Sequence, residues 1–318
     1  MKRIAAAALT LLLGHGSALA LTIEFDYSFD TRGFFTDPVT GAAITERRAV
    51  LDLAASFYSG FADALAAIEP QAGDSWSVSF THPSLGGPAL TVVDQVIAAD
   101  TVRIYVGGSA SAPGVLGFAN TGYNLQASGS ASFVDAVLAR GQENALGAGA
   151  SDYATWGGMI WFNAANDWYF GASESGLGSS QSDFLSTAIH EIGHILGFGT
   201  AASWTALLDG GYFHGAASMA EYGGPVPVDR YGVHWAEGVM SLVDGRAQET
   251  LMDPSTPAGQ RQLPTALDYA GFVDIGWQVS PVPEPQTYAM LLAGVALLAA
   301  RHRRRAADLC GPLQTGAA

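Results

Sequence analysis

Two imidazoles and a carboxylate stand together in HEIGHILGFGT, residues 190–200. His190 and His194 are four positions apart, so on a helix they sit one turn from each other and can converge on a single metal ion. Glu191, about a quarter-turn round the axis, is placed to take the proton of a metal-bound water. A zinc ion that does chemistry needs three protein ligands and one open position. This stretch supplies two. The chain has seven histidines, of which five fall between residues 21 and 283. His82, His214 and His234 are therefore the imidazole candidates for the third position, with Glu221 and Glu237 as carboxylate candidates.

The two histidines need a helix to carry them, and FLSTAIHEIGHILGF reads as one. Leu185, Ala188, Ile189, Ile192, Ile195 and Leu196 fall on one side at 3.6-residue periodicity, and Asp183, Thr187, His190, His194 and Gly197 fall on the other. Ser180-x-x-Asp183 reads as its capping box. Upstream, LTIEFDYSF begins the chain as a strand, and residues 45–68 carry apolar side chains at helical spacing, which predicts one long amphipathic helix ended by Pro70 and Gly73. SWSVSF, ALTVV and TVRIYVGG read as strands, SFVDAVLAR as a short helix, and GGMIWFNAANDWYF as a strand running into a turn. Residues 200–262, rich in Gly and Pro, read as mostly irregular, and TALDYAGFVDI as a last helix.

Both ends are address labels. Residues 1–20 combine two basic residues, an apolar run and Ala18-Leu19-Ala20, the pattern of a cleaved secretory signal peptide. At the other end a Pro-rich spacer precedes the apolar run Tyr288–Ala300 and an arginine cluster. The run is shorter than the ~20 residues of a comfortable membrane span, and the arginines would hold that end in the cytoplasm. This three-part segment, residues 281–305, resembles the PEP-CTERM sorting signal of Gram-negative bacteria, with Val282, Pro283, Glu284 and Pro285 matching its recognition motif. The resemblance implies processing by an exosortase, transient anchoring through this segment alone, and delivery to the cell surface or extracellular matrix. Residues 306–318 form a tail.

Of 14 basic and 29 acidic residues, six basic and two acidic ones lie in these ends. That leaves eight arginines, no lysine and 27 acidic residues in 21–283, a net charge of −19. Such a surface repels nucleic acid and anionic lipid. It could host calcium, although no EF-hand-like loop is present. The single cysteine, Cys310, lies in the tail, so residues 21–283 have no disulfide and no thiol to cap a metal.

HEIGHILGFG matches the extended zinc-protease pattern H-E-x-x-H-x-x-G-x-x-H as far as Gly199, with Thr200 where the third histidine belongs. A glycine that breaks the helix after the second histidine resembles the metzincins and disfavours a carboxylate ligand from further along a continuing helix. The order of zinc helix, irregular insertion, His234-Trp235, Met252 and terminal helix resembles their leishmanolysin-like branch, and GGMIWFNAANDWYF resembles the strand before the zinc helix in matrixin-like members. The resemblance covers roughly residues 155–279. It implies an α+β fold: a mixed twisted sheet with long helices in an upper subdomain (21–199), a smaller irregular lower subdomain (200–280), and a zinc cleft between them. It further implies a zinc endopeptidase acting on protein or peptide substrates, with His190, His194 and His234 as ligands, Glu191 activating the zinc-bound water, and Met252 as the Met-turn residue. No tyrosine follows Met252 closely enough to support an oxyanion. The alternative is a surface or matrix protein that keeps such a fold without catalysis, for which Thr200 is the main argument.

Overall fold

A computed structural model describes residues 20–87, 89–147 and 149–280. The leader through Leu19, the Val282–Pro285 motif, the apolar run and the tail lie outside the described residues. The architecture is α+β, with several small sheets.

The main sheet takes the strands β1 (Thr22–Asp26), β4 (Thr101–Ser109), β7 (Gly157–Asn163) and β5 (Gly117–Asn120) in that order across it. β1, β4 and β7 run parallel, and β5 pairs antiparallel with β7 at the edge. A second, antiparallel sheet of β2 (Ser75–Thr81), β3 (Ala89–Val93) and β6 (Tyr123–Ser128) covers one face. The alternating pattern of β2 buries Trp76, Val78 and Phe80 on that side with Tyr105, Trp156 and Met159. The other face buries Val102, Ile104, Val106, Ile160 and Phe162 against two helices, α1 (Thr45–Ser56) and α3 (Phe184–Ile195). Covered on both faces, β4 is buried along nearly its whole length.

The long helix expected over 45–68 stops at Ser56. Residues 57–59 close three-residue turns onto Ala54, Ala55 and Ser56, and the chain then runs extended. Phe61, Leu65 and Ile68 are buried all the same, because tertiary pairing replaces the helical bonds: Ala62 N–H donates to Gln278, Ala66 N–H to Arg140 and Ile68 N–H to Ile97. Helix α2 (Ala131–Ala139) forms as expected.

The stretch 200–262 holds more structure than its composition suggests. It contains helices α4 (Ala202–Ala206) and α5 (Ala216–Tyr222), a small three-stranded sheet and the hairpin Met240–Val243 with Arg246–Glu249. An aromatic knot holds the insertion to the rest: Trp204 stacks on Phe213 at 4.1 Å and meets Phe198 at 4.3 Å, and Trp235 packs against all three. Helix α6 (Ala266–Asp274) closes the described chain with a capping box of Thr265 and Asp268. Among the described residues no helix is long and apolar enough to cross a membrane.

Candidate metal centre

Helix α3 carries the first two histidines, and it is capped by Asp183 rather than by the expected Ser180 box. The Asp183 carboxylate accepts Ser186 N–H at 3.1 Å and Ser186 Oγ at 2.6 Å, and Arg261 pairs with it at 2.7 Å. The polar face of α3 is also covered rather than open, and His190 and His194 are only partly exposed. The helix ends where Gly197 turns left-handed at φ +100°, a conformation that favours glycine. That turn brings the Phe198 carbonyl back to within 2.8 Å of His194 Nδ1.

Thr200 is turned away from chemistry. Its hydroxyl donates to the His194 carbonyl at 2.8 Å, tying off the helix end. Beside it the returning insertion crosses Gly199 so closely that any side chain there would collide with the Val233 carbonyl. His234 therefore arrives next to the place the local motif leaves without an imidazole. Its Nε2 lies 3.1 Å from His194 Nε2, which in turn lies 3.0 Å from His190 Nε2. Among the described residues, His190, His194 and His234 are the one group of three potential ligands gathered tightly enough to hold a metal ion.

The outward nitrogens decide what the inward ones can do. His190 Nδ1 lies 2.8 Å from the Leu251 carbonyl, His194 Nδ1 2.8 Å from the Phe198 carbonyl, and His234 Nδ1 3.2 Å from Asp229 Oδ2. All three partners only accept, so each Nδ1 carries the proton and each Nε2 presents a bare lone pair. The short contacts between the Nε2 atoms are therefore three lone pairs aimed at one point, which a cation between them would relieve. Nitrogens ~2.1 Å from a tetrahedral zinc stand about 3.4 Å apart, close to the spacing seen. Burial and the neighbouring rings hold His190 well below the usual histidine range; burial above all takes His194 down to about 4, and it lowers His234 as well. Neutral imidazole is the form that binds metal. The residues fit the ion.

Asp229 was not legible as part of this site. Its Oδ1 accepts the N–H groups of Tyr231, Val233 and His234 while Oδ2 orients the ring. The only signal was an acidic residue beginning a Gly-containing turn, DRYGVH, just before the histidine.

Glu191 points toward edge strand β5. It is 6% exposed, and a methyl group built on Gly117 would come within 2.7 Å of its Oε1. Burial pushes its carboxyl up to about 8, and a divalent cation nearby would lower it again by favouring the ionised carboxylate. Met252 is fully buried, with its sulfur packed against α3 at Gly193, between the two helical histidines. His82, one of the third-ligand candidates, is buried beside Ser84, whose N–H it accepts; His214 is exposed. Neither joins the cluster, nor does Glu221 or Glu237.

Comparison with known families adds an address. Residues 281–305 match the PEP-CTERM protein-sorting motif. The chain is an exported, surface-sorted protein of a Gram-negative bacterium. A tail of this kind implies processing by an exosortase. A second family, described as SPBPB7E8-like, matches residues 149–213, which take in β7, α3 and α4 and stop short of His234. Neither match is to a metzincin family, and no curated protein and no solved structure matches the chain.

Proposed function

We propose that the chain is a zinc-dependent endopeptidase of metzincin type, acting outside the cytoplasm on protein or peptide substrates. The observation that carries the reading is the convergence of three unprotonated Nε2 atoms beside a buried carboxylate, Glu191, on the same helix. His190, His194 and His234 would hold the ion, and Met252 would pack beneath it as the Met-turn residue. Zinc bound there supplies a Lewis acid that polarises the scissile carbonyl and makes water acidic enough to ionise near neutral pH. Glu191 takes the proton of the attacking water on its carboxylate and returns it to the leaving amine. Its buried setting favours that exchange, since a carboxyl whose affinity for a proton is raised is a better base and can hold the proton until the amine departs. Residues 21–280 form the catalytic unit in this reading, with the metal between the parts on either side of Thr200.

Thr200 is the main argument for the rival reading, a non-catalytic surface or matrix protein. Thr200 bonded to the helix end, with His234 in the cluster, weakens that argument. Zinc content of purified protein, and casein digestion with and without chelator, test the proposal. One zinc per chain, with digestion abolished by chelator and by Glu191→Gln, is expected. Full digestion by Glu191→Gln would refute the role given to that residue.

A further inference from the structure

Asp268 lies on α6 and is fully buried. It is the third residue of the helix, and one of its oxygens does what a capping carboxylate does: Oδ2 accepts Thr265 N–H at 2.7 Å and Thr265 Oγ at 2.8 Å. A cap needs no more than that. Yet Oδ2 also accepts Leu251 N–H at 2.9 Å, and Oδ1 is given wholly to residues outside the helix, accepting Trp235 Nε1 at 3.1 Å and Met252 N–H at 3.2 Å.

Each of these outside donors belongs to the chain that builds the metal centre. Leu251 is bonded at both ends of its residue, its N–H to Asp268 and its carbonyl to His190 Nδ1. Trp235 follows His234 directly, and its own N–H donates to the Met252 carbonyl at 2.9 Å. One carboxylate thus clips together the segment that delivers His234 and the segment that orients His190. We propose that Asp268 is a positioning residue of the metal centre, setting zinc affinity through Leu251 and Trp235 without touching the ion. This rests on the metal-binding part of the function proposed above and not on its peptidase part.

Outer partners of metal-bound histidines typically change affinity ~10–100-fold when removed, and Asp268 stands one bond further out on two routes at once. Three variants of the mature full chain separate positioning from mere helix stability. Asp268→Asn replaces one accepting oxygen by an NH2 group facing donors. Trp235→Phe deletes a single donor and keeps the packing. Thr265→Ala weakens the cap and leaves the links to Leu251, Met252 and Trp235. Zinc affinity is read by competition with a chromophoric chelator, and ligand geometry by the visible absorption of the cobalt-substituted protein.

The expected result is a zinc affinity ~10-fold or more lower in Asp268→Asn and about 3-fold lower in Trp235→Phe, with altered cobalt spectra in both. Thr265→Ala should melt earlier yet keep wild-type affinity and spectrum. Should Asp268→Asn fail to fold, Trp235→Phe carries the test alone. Wild-type affinity and spectrum in Trp235→Phe and in any folded Asp268→Asn would overturn the proposal. So would an equal loss in Thr265→Ala, which would make the effect one of helix stability. A wild-type protein that binds no zinc would sink this inference together with the function above, whereas a chain that binds zinc with the expected pattern but cleaves no peptide would sink only the peptidase reading.

Discussion

On the proposed mechanism, replacing Gly117 by alanine should abolish most of the activity while leaving the three histidines untouched. Gly117 opens the edge strand β5, and its backbone is not left-handed, so an alanine there meets no conformational penalty of its own. The new methyl carbon would stand 2.7 Å from Glu191 Oε1, 3.0 Å from its Cγ and 3.1 Å from its Cδ. Carbon contacts relax at about 3.5–4.0 Å, so the carboxylate must withdraw by roughly 0.5–1 Å. It has little room, since the surrounding helix is buried along nearly its whole length. Misplacing a catalytic group by about 1 Å can cost ~10²-fold in rate, and overpacking costs about 1–3 kcal/mol of stability. The expected outcome is a 10–100-fold fall in kcat/KM on a fluorogenic peptide, at roughly that scale, with one zinc per chain retained. Gly224→Ala, with no atom within 4 Å of the added carbon and an ordinary backbone, is the control. Combining Gly117→Ala with Glu191→Gln should be no worse than Glu191→Gln alone, because both act on one group. Undiminished hydrolysis by Gly117→Ala would refute the assignment of Glu191 as the base.

Three further outcomes are expected. His234→Ala should lower zinc affinity at least ~10-fold and abolish activity, while His214→Ala and His82→Ala leave zinc content at the wild-type level by elemental analysis. Gly193→Ala would place a carbon 2.8 Å from the Met252 sulfur; it should lower the melting temperature and weaken zinc binding together, and a normal melting temperature would mean that Met252 does not press on the helix. Asp253 is fully buried with Oδ2 unpaired, and burial raises its carboxyl to about 8. Being raised above the unfolded value of about 4, it contributes stability that is present below pH 4 and is lost as pH rises toward 8. The melting temperature of Asp253→Asn relative to wild type should therefore climb between pH 5 and 8, and a difference flat with pH would refute the burial argument.

The parts that could be read in advance share a property: their signals are local. The α3 helix, β2, β4, β7 and α2 announce themselves by periodicity, and the spacing of His190 and His194 fixes their geometry without help from the rest of the fold. His234 was reached only through the order of segments that follow α3, because nothing in YGVHWAEG points inward by itself. What stayed hidden depends on partners far along the chain. The expected continuation of α1 is lost to Gln278, Arg140 and Ile97, which take up the backbone N–H groups of residues 62, 66 and 68, and no window of sequence contains them. The acceptors that fix the imidazole tautomers are two main-chain carbonyls, invisible in any sequence, and an aspartate indistinguishable from the other surface acids. Thr200 leaves two options open for a related reason: the motif shows that the third histidine is missing locally, but not that the insertion crossing Gly199 brings His234 up to the helical pair.

The distances along the chain have a bearing on export. His190 and His194 stand close together, but His234 follows His194 by 40 positions and the Leu251 carbonyl follows His190 by 61. During synthesis and threading through the envelope, the helical pair emerges long before the residues that complete it. A two-imidazole fragment with its rings unoriented is a weak and unselective chelator. The three imidazoles can gather only once His234 has been delivered, and the Leu251 carbonyl that holds His190 follows later still. The same separation that hides His234 from a short motif also delays the gathering of the three imidazoles until late in the emergence of the chain.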